Sequence, residues 1–155
     1  MMVNTPETKI RLVQKNEIPL CAKIMAESDP WITLGRSYEA CLKSLMHRDI
    51  RISVVLMDKN LVGFFTMNPR GLASSPYIQS IAVKKNFRHM GIGHQMISFA
   101  EKLVRKKSRN LFICVSDFNK EAIQFYEDMG FTRVGEFKDY LKRGNSELLY
   151  RKIIH

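Results

Sequence analysis

The sequence predicts an α/β fold built on a mixed sheet of about seven strands flanked by about four helices, and three observations lead there. At 155 residues, 45% hydrophobic and 26% charged, the chain has the size and balance of one ordinary globular unit spanning residues 1–155. No repeat or Gly/Ser linker divides it. Its periodicity then changes midway: a strand hairpin precedes Pro76, and strands alternate with helices after it. Finally, Asn110–Val115 (NLFICV) is almost wholly apolar, as an interior strand covered on both faces should be.

Taken in order, Lys9–Gln14 alternates Ile10 and Leu12 with polar residues, a half-buried strand. Asn16 is placed to cap a helix whose apolar face is Ile18, Cys21, Ala22 and Met25. Ser28-Asp29-Pro30-Trp31 ends it, and a second helix is expected from about Arg36 to His47 with Tyr38, Cys41, Leu42 and Leu45 inward. Ile50–Met57 and Leu61–Met67 read as strands joined at Asp58-Lys59-Asn60, with a loop over Asn68–Ser75. Pro76–Val83 is a strand, and a Gly-bearing turn leads into a helix from about Gly91 to Lys107. After the apolar strand, Asn119–Met129 is a helix stopped by Gly130. Phe131–Phe137 and Ser146–Ile153 close the fold around Arg143-Gly144-Asn145.

Composition excludes several classes. No apolar run approaches the roughly 20 residues needed to cross a bilayer, and MMVNTPETK has no apolar stretch, so a cytoplasmic protein without membrane association is expected. Cys21, Cys41 and Cys114 are an odd, widely spaced three and read as reduced core cysteines; no metal is expected. The net charge is +10, but its distribution is uneven. Lys84–Asn110 holds eight basic residues against Glu101, so it carries +7 and is where an anion would be met.

That segment contains the most informative stretch, Val83-Lys-Lys-Asn-Phe-Arg-His-Met-Gly-Ile-Gly93. A strand here ends in a basic turn opening directly into a helix. Gly91 and Gly93 allow close backbone approach, the helix N-terminus presents its positive end, and Arg88 can chelate phosphate oxygens. This describes a pyrophosphate cradle, against the plainer reading of a tight turn with solvated lysines. A Walker A loop does not fit, since His94 and Gln95 follow Gly93. A dinucleotide fingerprint does not fit either, with Met96 where a small residue belongs. Asn119, Ala122, Ile123 and Tyr126 share one face of the next helix, either a core stripe or a ligand-lining face.

Arg88-x-x-Gly91-x-Gly93 and Asn119-x-x-Ala122-x-x-x-Tyr126-x-x-x-Gly130-Phe131 together resemble the two signatures of the GNAT (GCN5-related) N-acetyltransferases. The element order matches too, so the resemblance covers nearly the whole chain. It implies acetyl-CoA as co-substrate and an amine as acceptor, in a monomer or homodimer. It further implies that Pro76–Val83 and Asn110–Val115 are parallel central strands that splay to admit the cofactor. Pantetheine contacts would then fall on Ile81, Ala82 and Val83, and pyrophosphate contacts on Arg88, His89, Met90, Gly91, Ile92, Gly93 and His94. Asn119 and Ala122 would line the cofactor, and Tyr126 would be the general acid, protonated at neutral pH because a phenol titrates near 10.

The chain departs from that pattern in one place. Many members carry a glutamate on the strand before the cradle to deprotonate the amine, whereas Tyr77–Val83 has no acid. Asp29, Glu39, Asp139 and Glu147 are alternatives without a motif, and Trp31 is either a lid over the acceptor or core. Transfer of another acyl group is the enzyme alternative. A non-catalytic, basic nucleic-acid-binding domain is the other; it would need exposed, interleaved aromatics and a recognition motif, and neither is present in the sequence.

Overall fold

In a computed structural model, which describes residues 7–155, the chain runs β1 (Thr8–Leu12), α1 (Ile18–Ala26), α2 (Tyr38–Leu45), β2 (Arg51–Met57), β3 (Asn60–Leu72), β4 (Ser75–Val83), α3 (Ile92–Val104), β5 (Asn110–Ser116), α4 (Lys120–Asp128), β6 (Thr132–Lys142) and β7 (Asn145–Ile153). The seven strands form one sheet in the order β1-β2-β3-β4-β5-β7-β6. Every neighbouring pair is antiparallel except β4 and β5. This is the mixed α/β architecture that the sequence predicts, in the same element order.

The sheet is covered on both faces. On one side, Met96, Ile97, Ala100 and Val104 of α3 pack with Tyr126 and Phe131 over Val55, Phe65, Leu111 and Ile113. On the other, Cys21, Ala22 and Met25 of α1 and Cys41 and Leu45 of α2 pack over Val54, Phe64 and Ala82. Strands β2, β3 and β5 are therefore buried on both faces over much of their length, which explains their nearly continuous apolar runs.

Boundaries depart from expectation where local signals meet tertiary pairing. Asn16 does not cap α1: Lys15–Glu17 forms a 3-10 turn, and Glu17 Oε1 accepts the amide of Gln14 at 2.7 Å. The Glu17 carboxylate also takes Arg11 in a two-pronged contact at 2.8 and 2.9 Å, tying β1 to this turn. Ser37 caps α2, which is shorter than predicted, and Tyr38 is exposed rather than inward. Pro69 and Gly71 do not make a loop; the hairpin continues through them, irregularly paired between Asn68 and Leu72, and turns only at Ala73-Ser74. Strand β6 likewise continues past Phe137 to Lys142.

Candidate active site

The parallel pair at the centre of the sheet is barely a pair. Strands β4 and β5 are in register only at Tyr77↔Phe112 and Ile78↔Ile113. Beyond that point β4 stays with β3, from Ser80↔Thr66 to Val83↔Gly63, while β5 stays with β7, ending at Ser116↔Glu147. A cleft of about 1130 Å³ opens between them, lined by Ser80–Val83 on one lip and Ile113–Ser116 on the other. Gln79 marks the point of divergence: Met67 pairs with Ile78 and Thr66 with Ser80, so Gln79 is the extra residue of a β-bulge. Interior edges of this kind present unpaired backbone donors and acceptors to whatever enters.

At the far end of β4, Val83 leads through a 3-10 turn at Lys85–Phe87 into α3. The first helical bond runs from Gln95 N to Gly91 O at 3.1 Å, so the amides of Ile92, Gly93 and His94 have no acceptor within the helix. Ile92, Gly93 and His94 all line the cleft. The two glycines serve different ends. Gly91 sits at φ 81° with nothing within 4 Å of where a Cβ would lie, so backbone conformation explains it and open space lies before the helix. A Cβ on Gly93 would instead stand 3.0 Å from the Phe125 ring, so this glycine lets α3 approach α4.

Arg88 lines the cleft but already has partners: its Nε donates to Val83 O at 3.0 Å and its Nη2 to Ser28 Oγ at 3.1 Å. His89, at φ 62°, also lines the cleft, with Nε2 3.2 Å from Glu121 Oε1 on α4. Met90 is 48% exposed and is not part of the lining. On the splayed strand Ile81, Ala82 and Val83 all line the cleft.

Helix α4 supplies the opposite wall. Asn119 is its N-cap, with Oδ1 accepting the Ala122 amide at 3.4 Å, so capping accounts for a polar residue at the head of an apolar face. Asn119 and Ala122 nevertheless line the cleft, as does Tyr126. The Tyr126 ring is 5% exposed and held at 5.3 Å from Phe125 and 5.8 Å from Phe131. Burial holds its phenol well above the ordinary value of 10, so the proton stays on. Its hydroxyl has no protein hydrogen-bond partner among the described residues and is not among the fully buried unpartnered atoms, so it is free to donate into the cleft.

The remaining wall comes from distant parts of the chain: Glu27–Ile32 after α1, Leu141 from the β6–β7 hairpin, and Glu147 at the start of β7. Trp31 both lines this wall and packs against the α1–α2 core. The four acids left open by the sequence now separate. Glu39 lies on exposed α2 outside the cleft, and Asp139 Oδ1 accepts Gly144 N at 2.7 Å at a hairpin tip. Asp29 faces the cleft, with Oδ1 taken by Thr33 N and Oγ1 at 3.1 and 2.6 Å. Glu147 is 9% exposed, and its Oε2 accepts from Ser116 Oγ at 2.6 Å. Cys21 and Cys41 are core as expected, but Cys114 is half-buried in the cleft; burial pushes its thiol up, leaving it protonated. Sequence spacing carries no signal for Ser116, Cys114 or Glu147, because β5 and β7 meet only through the topology.

The protein-family model for acetyltransferases of the GNAT family matches residues 19–131. The chain belongs to the GNAT acetyltransferase family. A curated relative, an uncharacterized N-acetyltransferase of Lactobacillus delbrueckii subsp. lactis, is 37% identical over 71 residues, which is 45% of this chain and 39% of the relative. The chain thus spans well under half of that relative's length. Among solved structures, one described as an acetyltransferase of the GNAT family from Desulfovibrio desulfuricans matches with a TM-score of 0.78 and 21% identity, over 96% of this chain and 100% of that one. An aminoglycoside 6'-N-acetyltransferase complexed with coenzyme A matches with a TM-score of 0.76 and 17% identity, over 95% and 97%. At these identities the likeness is one of fold.

In this GNAT chain the charges lining the cleft are mixed at the β4–α3 end, where Lys85 and Arg88 stand with Glu27, which shares a smaller pocket with Lys84 and Lys85, and with Glu121 beside His89. Asp29 and Glu147 also line the cleft, and neither forms an ion pair with a Lys or Arg among the described residues. Among the described residues no helix is long and apolar enough to cross a membrane, and no three His, Cys, Asp or Glu side chains cluster as metal ligands.

Proposed function

We propose that residues 1–155 form one cytoplasmic catalytic unit that transfers an acetyl group from acetyl-CoA directly to an amine. The observation that carries the reading is the split between β4 and β5, with unsatisfied helix amides at one end and an unpartnered tyrosine hydroxyl on its wall. Bound acetyl-CoA supplies an activated acyl thioester. The lips Ile81–Val83 and Cys114–Ser116 hold the extended arm by backbone hydrogen bonds, as an added strand would be held. The amides of Ile92, Gly93 and His94, with the α3 dipole and Arg88, hold the pyrophosphate. Tyr126 donates its proton to the departing sulfur.

Direct transfer is supported by the cleft's own thiol: burial and the neighbouring Glu147 charge both push Cys114 up, which disfavours the thiolate that a covalent route would need. The acceptor enters past Asp29 and Glu147, two cleft carboxylates without a Lys or Arg partner among the described residues, which attract a cation in a protein of net charge +10. The test is free-thiol release from acetyl-CoA with lysyl, N-terminal-peptide and small cationic amines. Amine-dependent thiol release with a matching acetylated product is expected; no release with any amine overturns the reading.

A further inference from the structure

Resting on the acetyl-transfer reading, we infer that Glu147 is the catalytic residue that receives the acceptor's proton, entering from β7 rather than from the strand before the cradle. The split brings it there. Where β4 leaves β5, the end of β5 is held only by β7, and the last rung of that ladder is Ser116↔Glu147. The residue opposite the free lip of the cleft is thus a carboxylate, at 9% exposure.

Its setting is built for position. Asp117, just beyond β5, takes Asn145 Nδ2 on Oδ1 at 2.8 Å and the Ser146 amide on Oδ2 at 2.9 Å, clamping the two residues immediately before Glu147. Ser116 Oγ then donates to Glu147 Oε2 at 2.6 Å, leaving Oε1 without a hydrogen bond among the described residues. No Lys or Arg pairs with this carboxylate among the described residues, although the chain has 25 of them. The charged and titratable groups shown to act on it or feel it are Asp117 and Cys114 of the β5 side and Tyr77 of β4, none of them cationic. A buried carboxylate without a counter-ion is destabilising unless a ligand supplies one. An ammonium group does so.

Burial, and the neighbouring Asp117 charge, hold Glu147 above the ordinary carboxylate range, which makes it a better base. Chemically, one proton passes from the ammonium nitrogen to Glu147, and the freed lone pair forms the C–N bond as the C–S bond breaks. The sulfur takes the Tyr126 proton, and the second proton lost from nitrogen restores the phenol. The net products are the amide, CoA thiol and one proton released to solvent from Glu147. Ser116 is a positioning residue in this scheme.

The test compares Glu147→Gln with wild type on a lysyl peptide and on aminoacetonitrile, a weakly basic amine already unprotonated at neutral pH. With the peptide, kcat/KM falls about 10²- to 10⁴-fold and the acid limb of its pH profile moves up toward the ionisation of the lysyl amine itself, at about 10.4. With aminoacetonitrile the fall stays under about tenfold, and CoA affinity is unchanged. Equal losses with both amines would make Glu147 structural, and no loss would remove it from the chemistry; either overturns the inference. Glu147→Asp, which keeps the carboxylate, should recover part of the rate and the wild-type acid limb, and a Glu147→Asp variant as inactive as Glu147→Gln also overturns it. Absence of wild-type turnover with every amine is a different failure, that of the acetyl-transfer reading itself.

Discussion

The two ends of the cleft are made in different ways. The β4–α3 end is built from residues contiguous in the chain, Ile81 to His94, and relies on main-chain amides, a helix terminus and one left-handed glycine. The other wall is assembled from the segment after α1, which reaches the cradle through Ser28 and Arg88, and from Tyr77, Leu141 and Glu147, whose strands meet only because they pair in the order β4-β5-β7-β6. A backbone cradle suits an invariant anion, whereas a side-chain wall can change its acceptor without disturbing the fold. Tyr126 lines the cleft from α4, and changes to its hydroxyl should be the most damaging.

Tyr126→Phe keeps the ring between Phe125 and Phe131 and removes the unpartnered hydroxyl. The turnover rate should fall about 10²- to 10⁴-fold with acetyl-CoA affinity little changed, as steady-state kinetics beside calorimetry will show. Because burial lifts this phenol above 10, Tyr126 should produce no basic limb in the wild-type profile below about that pH. Arg88→Ala comes next. Loss of a charge-assisted contact should weaken CoA by about 1.5–3 kcal/mol. Since Arg88 also holds Ser28, at the head of the acceptor wall, the acceptor KM should rise as well. A change in CoA affinity alone would separate the two ends more sharply than the structure does.

The two glycines of the cradle divide in the same manner. Gly93→Val drives a branched side chain toward Phe125 and should lower stability by about 1–3 kcal/mol, read as a lower melting temperature. Gly91→Ala meets no atom, only left-handed strain of about 1–2 kcal/mol, and should weaken CoA binding more than it lowers the melting temperature. The smallest expected effect is on stability at Glu147. The Glu147 value is raised on folding, so its contribution to stability is complete below the unfolded value near 4.5 and is lost as pH rises through the folded one. At neutral pH the Glu147→Gln variant should therefore melt at or above the wild-type temperature, with the gap closing as the pH falls from the folded value toward about 4.5 and staying closed below it.

What was legible in the sequence follows the same division. The cradle and the α4 stripe are visible because helix and turn spacing place Arg88, Gly91, Ala122 and Tyr126 from local rules alone. Asn119 is half legible: it borders the cleft, but N-capping explains its polarity. Gly93 has its place in the motif, yet its space is occupied by Phe125, a contact between helices that spacing does not show. Pro69 and Gly71 signal a loop, and pairing with β4 overrides them, with Gly71 lying where a Cβ would come within 2.9 Å of Asn68 and Tyr77. Glu147 is the extreme case. It opens an ordinary strand, and only the β5–β7 ladder turns it toward a cleft 31 residues after Ser116.

The central claim is that the cofactor enters between β4 and β5, and amide chemical-shift mapping during a CoA titration tests it most directly. The largest shifts should fall on Ile81 and Val83, on Cys114–Ser116 and on Ile92–His94. Shifts confined to Arg105–Arg109, at the other end of α3, with the strand lips unmoved, would contradict it.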